Sequence, residues 1–437
     1  MKMESLWKMR RSLPEFPRLE QDAKTDVLII GGGMAGLLCA HRLTELGVDC
    51  MLLERDRVGC GVTGNTTAKV TAQHGLIYGK LLREFGPDTA RAYWEANEEA
   101  LERYRNLFQA LGVPLEPVDS YLYSRTPSRE LEQELSAMER LGIPCQWTDR
   151  VPLPFATAGA IRVEDQAQMD PYIFLEKLVP GLPVYEHTPV REFRPGAVIT
   201  DRGTVRAKKI IVATHFPMLN KHGSYFLKMY QERSYVLALE NAKPVEGIFR
   251  DRDPAGFSFR DAQGLLLLGG GSHRTGKPGG GWKPLEELAK SCYPKSGVKY
   301  RWATQDCVTL DGIPYIGQYS RNTPDLYVAT GFNKWGMTSA MAAALVLGDL
   351  VRGVENPWSR IFSPQRTMLR PQLLANICSS AANVLPPTVP RCPHLGCALR
   401  WNPQERSWDC PCHGSRFSPD GKLLNGPATD DKKPRNI

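Results

Sequence analysis

Cysteines and histidines are concentrated in one segment of this 437-residue sequence, which contains 11 cysteines and 8 histidines in all. Cys392 and His394 form a Cys-x-His pair, and Cys410 and His413 form a Cys-x-x-His pair about fifteen residues further on. Thiolates and imidazoles in paired loops of this kind bind either one zinc ion or an iron–sulfur cluster. In the cluster, two thiolates bind one iron and two imidazoles bind the other, and the imidazoles raise the reduction potential. The segment therefore predicts a metal centre of one of these two kinds.

The neighbouring residues favour the cluster over zinc. A Cys₂His₂ zinc site needs four ligands and leaves two further cysteines and the Gly414-Ser415 pair without a role. The segment resembles the Rieske [2Fe–2S] proteins of cytochrome bc-type complexes more than those of ring-hydroxylating oxygenases, which lack the extra cysteine pair. The resemblance implies the cluster ligands Cys392, His394, Cys410 and His413 and a disulfide between Cys397 and Cys412.

The segment also departs from the pattern of its relatives. Phe417 lies where high-potential Rieske proteins usually have tyrosine, so one hydroxyl donor is missing, whereas Ser415 can still donate to a cluster sulfur. Because fewer donors stabilise the reduced cluster less, we expect a potential below that of respiratory Rieske centres. Pro386–Arg391 leads almost directly into the first cysteine loop, where a Rieske domain normally has strands. We therefore expect a truncated module whose open edge is covered by the rest of the chain or by a partner.

A glycine-rich turn near the other end of the sequence indicates a nucleotide site. Gly31, Gly33 and Gly36 form a G-x-G-x-x-G motif between the short apolar run Asp26–Ile30 and a segment with helical spacing of leucines. The glycines permit a tight turn, close approach of backbone to a pyrophosphate and close packing of the helix on the sheet. Glu54 follows the next apolar run, about eighteen residues after Gly36, where a carboxylate can bind ribose hydroxyls. The alternative is a plain strand–helix turn.

Later segments indicate which dinucleotide is bound. Gly59–Lys69, Thr188–Val190, Asp311–Gly317 and Thr330–Thr338 occur in the order of the motifs of the D-amino-acid-oxidase-like (DAO) flavoprotein superfamily, which the sequence resembles from about Asp26 to Gly353. The resemblance implies FAD, with a helix near Gly336 whose N-terminus faces the flavin ring. The implied FAD contacts are Gly31, Gly33, Met34, Ala35, Gly36, Glu54, Arg55, Thr66, Thr67, Ala68, Val190, Gly331, Gly336, Met337 and Thr338.

The two resemblances together imply the fold class. We expect an α/β FAD-binding domain of the glutathione-reductase-like, Rossmann type, interleaved with an α+β substrate domain and followed by a small all-β Rieske module. The predicted FAD-binding segments are 25–80, 155–215 and 300–353, and the substrate-domain segments are 81–154 and 216–299. A proline-rich linker is predicted over 354–388, with one amphipathic helix, and the Rieske module over 389–431.

Three residues are candidates for catalysis because they follow or precede the predicted flavin-contacting turns. Lys69 and His74 come after Thr66-Thr67, and Trp335 precedes the flavin-facing helix. Each has a plainer interpretation: a surface charge for Lys69, a hydrogen-bonded structural histidine for His74 and packing for Trp335. Arg233, in the predicted substrate sheet, is a candidate for binding a carboxylate.

Composition narrows the class of protein. The sequence is 42% hydrophobic and 23% charged, its net charge is +8, and its lysines and arginines are scattered, which argues against nucleic-acid binding. Its apolar runs are too short to span a bilayer, no signal peptide is recognisable, and we expect a cytoplasmic protein.

We predict an oxidoreductase that couples two-electron FAD chemistry, oxidation of a small amine or amino-acid-like substrate, to one-electron transfer through the Rieske cluster to a carrier partner. The alternatives are a flavin reductase supplied by the cluster and a redox sensor or adaptor with little turnover.

Overall fold

The computed structural model describes residues 3–219, 222–384 and 390–431. Its strands are β1 (Ala23–Ile30), β2 (Cys50–Leu53), β3 (Lys69–Val70), β4 (Glu116–Ser124), β5 (Gln146–Thr148), β6 (Gly159–Gln168), β7 (Val184–Tyr185), β8 (Val190–Arg194), β9 (Ala197–Thr200), β10 (Thr204–Val212), β11 (Met229–Glu240), β12 (Ile248–Asp251), β13 (Ser258–Ala262), β14 (Leu265–Arg274), β15 (Gly297–Thr309), β16 (Tyr315–Gln318), β17 (Leu326–Thr330), β18 (Arg400–Asn402), β19 (Ser407–Asp409), β20 (Arg416–Phe417) and β21 (Leu423–Asn425). Its α-helices are α1 (Leu6–Arg10), α2 (Met34–Glu45), α3 (Tyr78–Phe85), α4 (Pro87–Leu111), α5 (Arg129–Arg140), α6 (Pro171–Leu178), α7 (Tyr225–Lys228), α8 (Lys283–Cys292), α9 (Gly336–Leu350), α10 (Ser359–Phe362) and α11 (Pro371–Val384).

The first sheet is the nucleotide-binding sheet predicted from the glycine motif. Its strands run in the order β16-β17-β10-β1-β2-β7, and β8 and β9 form a hairpin beside β10. β1 pairs in parallel with both β10 and β2, so the carboxyl ends of these strands meet where β1 turns into α2. The turn requires glycine: a Cβ at Gly36 would lie 1.9 Å from the carbonyl oxygen of Gly31, and Gly31 itself has a φ of +111°. The sequence therefore places the start of α2 at the edge of the sheet where nucleotides bind.

The second sheet is mostly antiparallel and faces the first across a cavity. Its order is β15-β11-β14-β13-β12-β4-β6-β3, with β5 paired to β6. The long strands β11 and β15 pair along nearly their whole lengths, from Met229↔Thr309 to Glu240↔Gly297. β3, β6 and most of β15 lie in segments predicted to belong to the FAD-binding domain, yet they pair in this second sheet. Single apolar strands carry no signal of which sheet they join, and the predicted domain boundaries stay a prediction.

The third sheet is small and contains β18, β19, β20 and β21 in that order, all antiparallel. α11 lies in the predicted linker, where the sequence indicated one helix. The predicted end of the linker at 388 and the start of the module at 389 lie outside the described residues, as does most of Pro386–Arg391. In the part of the chain that the structure describes, no helix combines the length and the apolar character needed to cross a membrane.

Candidate active site and metal centre

A cavity of about 370 Å³ runs from the glycine turn to the start of α9. At one end it is bordered by Gly31–Ala35 and Glu54, and at the other by Gly331, Trp335 and the first residues of α9. Most of the predicted FAD contacts line it, namely Gly31, Gly33, Met34, Ala35, Glu54, Arg55, Thr66, Thr67, Val190, Gly331, Gly336 and Met337. Three predicted contacts are not part of its wall, namely Gly36, Ala68 and Thr338. Gly36 lacks a side chain so that α2 can pack against Gly31, and the other two residues are buried behind the cavity.

The nucleotide end of the cavity has the geometry that an adenosine diphosphate group requires. Glu54 accepts hydrogen bonds from the backbone N–H groups of Gly32 (2.6 Å) and Asp56 (2.8 Å), which fix its carboxylate at the end of β2. Burial raises the pKa of Glu54, and the two N–H donors partly oppose that effect. The N-cap of α2, Gly33, has no side chain, and Thr63 Oγ1 accepts a hydrogen bond from the Met34 N–H (2.9 Å). A helix N-terminus at this place can bind a phosphate through its other free N–H groups. These residues fit the FAD implied by the sequence.

The opposite end of the cavity collects charged side chains from both sheets. Lys69 is in contact with Thr67 Oγ1 (3.1 Å) and Ser258 Oγ (3.5 Å), and burial lowers its pKa well below the ordinary value. Lys334 donates to Ser272 Oγ (2.7 Å) and pairs with Glu232 (2.8 Å). Arg250 and Asp306 also line this end, and neither was recognised from the sequence. Both lie on strands of the second sheet, where strand alternation alone did not identify the face that lines the cavity.

Asp306 is the acid of this group. It lies beside Lys334, Glu232 and Arg233, and burial raises its pKa to about 6 although Lys334 partly opposes the shift. Within the described residues, neither Lys69 nor Arg250 has a carboxylate within ion-pair distance. The cavity therefore contains a carboxyl that titrates near neutrality, the Lys69 amine, and the Arg250 guanidinium, which also donates to Gly256 O (3.2 Å) and Pro254 O (2.7 Å).

The structure separates the three predicted catalytic residues. Lys69 and Trp335 line the cavity, whereas His74 does not. The His74 ring stacks on Trp335 at 4.9 Å and is in hydrogen-bond contact with Tyr93 Oη (2.7 Å), Thr71 O (2.8 Å) and Thr338 Oγ1 (3.0 Å). Burial lowers its pKa to about 3, so the ring is neutral. The turn after β3 directs the His74 ring behind Trp335, which it positions, and a catalytic role for His74 stays a prediction.

Arg233, a candidate for binding a substrate carboxylate, has a carboxylate partner within the chain. Arg233 is 4% exposed and pairs with Glu405 of the C-terminal module, its Nε donating to Oε1 at 3.0 Å. Glu405 additionally pairs with Arg416 at 2.9 Å. Burial alone would raise the pKa of Glu405, but the two arginines hold it below its ordinary value. Arg233 therefore connects the second sheet to the C-terminal module.

The cysteine–histidine segment forms two loops of the same construction. In the first, Cys392 N–H donates to Cys397 O and Gly396 N–H donates to Cys392 O; in the second, Cys410 N–H donates to Ser415 O and Gly414 N–H donates to Cys410 O, all at 2.8–3.0 Å. The loops bring the rings of His394 and His413 to 5.0 Å between centroids.

The donor set of these loops fits a cluster with two thiolate and two imidazole ligands. Cys392 and Cys410 are 2% and 0% exposed, and burial lowers the pKa of His413 to about 4 and that of His394 to about 3, so both imidazoles are in the neutral, ligating form. Neither ring nitrogen of the buried His413 makes a hydrogen bond within the described residues, as expected of a ring whose partner is a metal.

The disulfide predicted between Cys397 and Cys412 is not formed in the structure, where both are free thiols. Their Sγ atoms and that of Cys410 lie within 4.8 Å of one another, so the two loops already bring the pair close together. The pairing stays a prediction.

Side chains of the second sheet hold the cluster-binding loops. Gln231 on β11 donates to His413 O (2.6 Å) and Gly426 O (3.1 Å), and Gln305 on β15 donates to Gly414 O (2.8 Å) and Gln231 Oε1 (2.6 Å). Arg274 on β14 donates to Pro411 O (3.1 Å). The second sheet thus contacts the second cysteine loop and Gly426 of the module. Asn425–Thr429 in turn lines the FAD cavity.

Comparison with known proteins supports the assignment of both the oxidoreductase part and the C-terminal module. The family model for FAD dependent oxidoreductases (DAO) matches residues 26–350, and that for the Rieske [2Fe-2S] domain matches residues 383–434. The chain is 35% identical to the putative Rieske 2Fe-2S iron-sulfur protein YhfW of Bacillus subtilis, with 97% of this chain and 96% of that protein covered. It is 24% identical to gamma-glutamylputrescine oxidoreductase of Escherichia coli, with 77% and 86% covered.

A solved structure agrees with the fold of the larger part. The crystal structure of glycine oxidase from Geobacillus kaustophilus matches with a TM-score of 0.67 at 21% identity and covers 79% of this chain and 100% of its own. The chain therefore belongs to the DAO family of FAD dependent oxidoreductases and carries a Rieske [2Fe-2S] domain after its oxidoreductase part.

Proposed function

We propose that this enzyme oxidises a small amino-acid-like amine and passes the electrons one at a time through its Rieske cluster to a carrier protein. When bound, FAD accepts two electrons and the cluster carries one, so the pair converts a two-electron oxidation into single-electron steps. One observation carries the proposal: the cavity that fits FAD is bordered by Asn425–Thr429 of the Rieske module. Both cofactor sites thus share one wall.

The charges of the cavity support a zwitterionic substrate. Arg250 presents a cationic group that has no carboxylate partner among the described residues, and a substrate carboxylate would supply one, with the Lys69 amine as a further hydrogen-bond donor. Asp306, with its pKa near 6, can attract a substrate ammonium group and accept its proton. Loss of that proton is required before an amine can be oxidised at the neighbouring carbon. A relative of this chain, gamma-glutamylputrescine oxidoreductase, is likewise named for an amine-containing compound.

The walls of the cavity would orient the substrate against the flavin. Trp335 is held by its stacking on His74, and Lys334 is held by Glu232 and Ser272, so both side chains are fixed before substrate binds. Pre-positioned groups lower the entropy lost on reaching a reactive geometry.

Anaerobic bleaching of the flavin by matched compounds tests the substrate class. We expect amino acids and related amino carboxylates to bleach it, amines of the same length without the carboxylate to do so far more slowly, and carboxylates without the amine not at all. Arg250→Met should raise KM for the amino carboxylates at least about tenfold, because the anionic end loses a charge-assisted partner. Equal rates with and without the carboxylate would contradict the proposed substrate class.

A further inference from the structure

One aromatic side chain lies between the two cofactor sites. Phe216 lines the FAD cavity, and its ring centroid is 6.5 Å from that of His394 and 6.3 Å from that of His413. Both angles between ring planes are steep, 79° and 66°, so the imidazoles are arranged edge-to-face with the phenyl ring. The ring therefore meets both predicted imidazole ligands on one side and the cavity on the other.

The backbone around Phe216 is held firmly. His215, directly before it, has a φ of +67°, and its carbonyl oxygen accepts hydrogen bonds from Thr330 Oγ1 and from Cys307 Sγ (3.5 Å). Thr330 ends β17 and Cys307 lies on β15, so both sheets anchor this turn. Phe216 itself is 3% exposed and packs among buried residues that include Tyr225 and Met229. Its position between the two sites is thus fixed by the fold.

We infer that Phe216 is the contact through which electrons pass between the flavin and the Rieske cluster within one chain. The inference rests on the proposed function and specifies its internal electron path. In each step one electron leaves the reduced flavin and one Fe³⁺ of the oxidised cluster becomes Fe²⁺. The proton that the flavin loses with its second electron passes to solvent, and no bond to the protein forms or breaks. A one-electron carrier protein must then reoxidise the cluster before a second electron follows.

The packing supports a path that needs no movement of the module. Electron transfer through protein weakens steeply as gaps open between packed atoms, and here one ring spans the wall between the sites. Hydrogen bonds from Gln231 and Gln305 to the backbone at His413 and Gly414 hold the cluster-binding loop against the same wall. The Rieske module is thereby kept in the position in which Phe216 touches its histidines.

Phe226 offers a matched control. Its ring also contacts His413, with 6.1 Å between centroids and 83° between planes, but it does not line the FAD cavity. Phe216→Leu removes the ring that touches both sites, and Phe226→Leu removes a ring that touches only the histidine. Phe216→Met gives a second non-aromatic side chain of similar volume. If one of these two variants fails to retain its cluster, the rate can still be measured in the other. Phe216→Tyr retains the ring.

The experiment adds single electrons by pulse radiolysis to the holoprotein without substrate and follows their redistribution between FAD and cluster by absorbance. We expect Phe216→Leu or Phe216→Met to slow redistribution at least about tenfold, since a shorter side chain leaves a gap in the contact. Phe216→Tyr and Phe226→Leu should stay within about twofold. FAD content, midpoint potentials and the EPR spectrum of the reduced cluster should be unchanged in the variants compared.

The outcomes distinguish the two claims. If electrons redistribute in the unmodified protein at a rate that Phe216→Leu and Phe216→Met leave unchanged, or that Phe226→Leu slows equally, the inference is overturned but the proposed function is not. No redistribution in the unmodified protein overturns the proposed function and the inference with it.

Discussion

The ion pair between Arg233 and Glu405 provides a sharp test of how the Rieske module is held. Glu405 is 11% exposed and pairs with both Arg233 and Arg416. Arg233 has no other carboxylate partner among the described residues, whereas Arg416 also pairs with Asp409 at 2.9 Å. Glu405→Gln removes the charge at nearly constant volume and leaves a buried arginine uncompensated. Breaking a buried pair in this way costs about 3–5 kcal/mol, and the lower end applies here because the amide still accepts hydrogen bonds.

The cost should appear in the module before the rest of the chain. We expect the urea midpoint for loss of cluster absorbance to fall in Glu405→Gln, with FAD lost later. The control is Glu240→Gln on β11, the strand that carries Arg233. The pair of Glu240 with Lys299 (3.3 Å) is 44% and 41% exposed and contributes about 0.2–1 kcal/mol.

A double substitution refines the test. Arg233→Met combined with Glu405→Leu removes both buried charges and should recover much of the lost stability, because an apolar pair has no uncompensated charge. If Glu405→Gln and Glu240→Gln shift the cluster midpoint equally, the reasoning that a buried pair docks the module is refuted.

Three further predictions follow from single sites. Because Asp306 has a pKa near 6 and is neutral below that pH, kcat/KM for an amino carboxylate should rise with pH through about 6. Asp306→Asn should remove this acidic limb of the pH profile, and a limb that persists in the variant contradicts the role of this carboxyl. Gly36→Ala places a Cβ 1.9 Å from Gly31 O and should lower the free energy of unfolding by at least about 1–3 kcal/mol. It should also lower the FAD-to-protein ratio after purification, and full FAD content would show that the turn tolerates a side chain. Phe417 is fully buried beside the cluster-binding cysteines, so Phe417→Tyr should add a hydroxyl donor and raise the midpoint potential of the cluster in an EPR-monitored titration. An unchanged or lower potential would exclude the missing hydroxyl as the reason for a low cluster potential.

The motifs that need particular residue types were recognisable from the sequence. Gly36 could be assigned because only glycine allows the helix to approach the carbonyl oxygen of Gly31, and the paired cysteine–histidine loops have a spacing that few sites share. The helix α2 was recognisable because its leucines recur at helical spacing, and α9 was recognisable from its small residues and from the motif that precedes it.

The missed features depend on contacts between distant segments. Gln231, Gln305 and Arg274 bind backbone carbonyls of loops more than 100 residues away, and an uncharged glutamine on a strand gives no signal of such a role. The location of the His74 ring could not be predicted, because proximity in sequence to a flavin-contacting turn does not determine on which side of Trp335 the ring lies.

The central claim is that electrons from an amine reach the Rieske cluster through the flavin of the same chain. Freeze-quench EPR with parallel absorbance, after anaerobic mixing of the holoprotein with an amino carboxylate, tests it most directly. We predict that the flavin bleaches first and that the signal of the reduced cluster then appears, whereas His413→Ala bleaches its flavin without that signal. A flavin that no amine bleaches, but that a reduced carrier protein reduces by way of the cluster, would contradict the account and establish the opposite direction of electron flow.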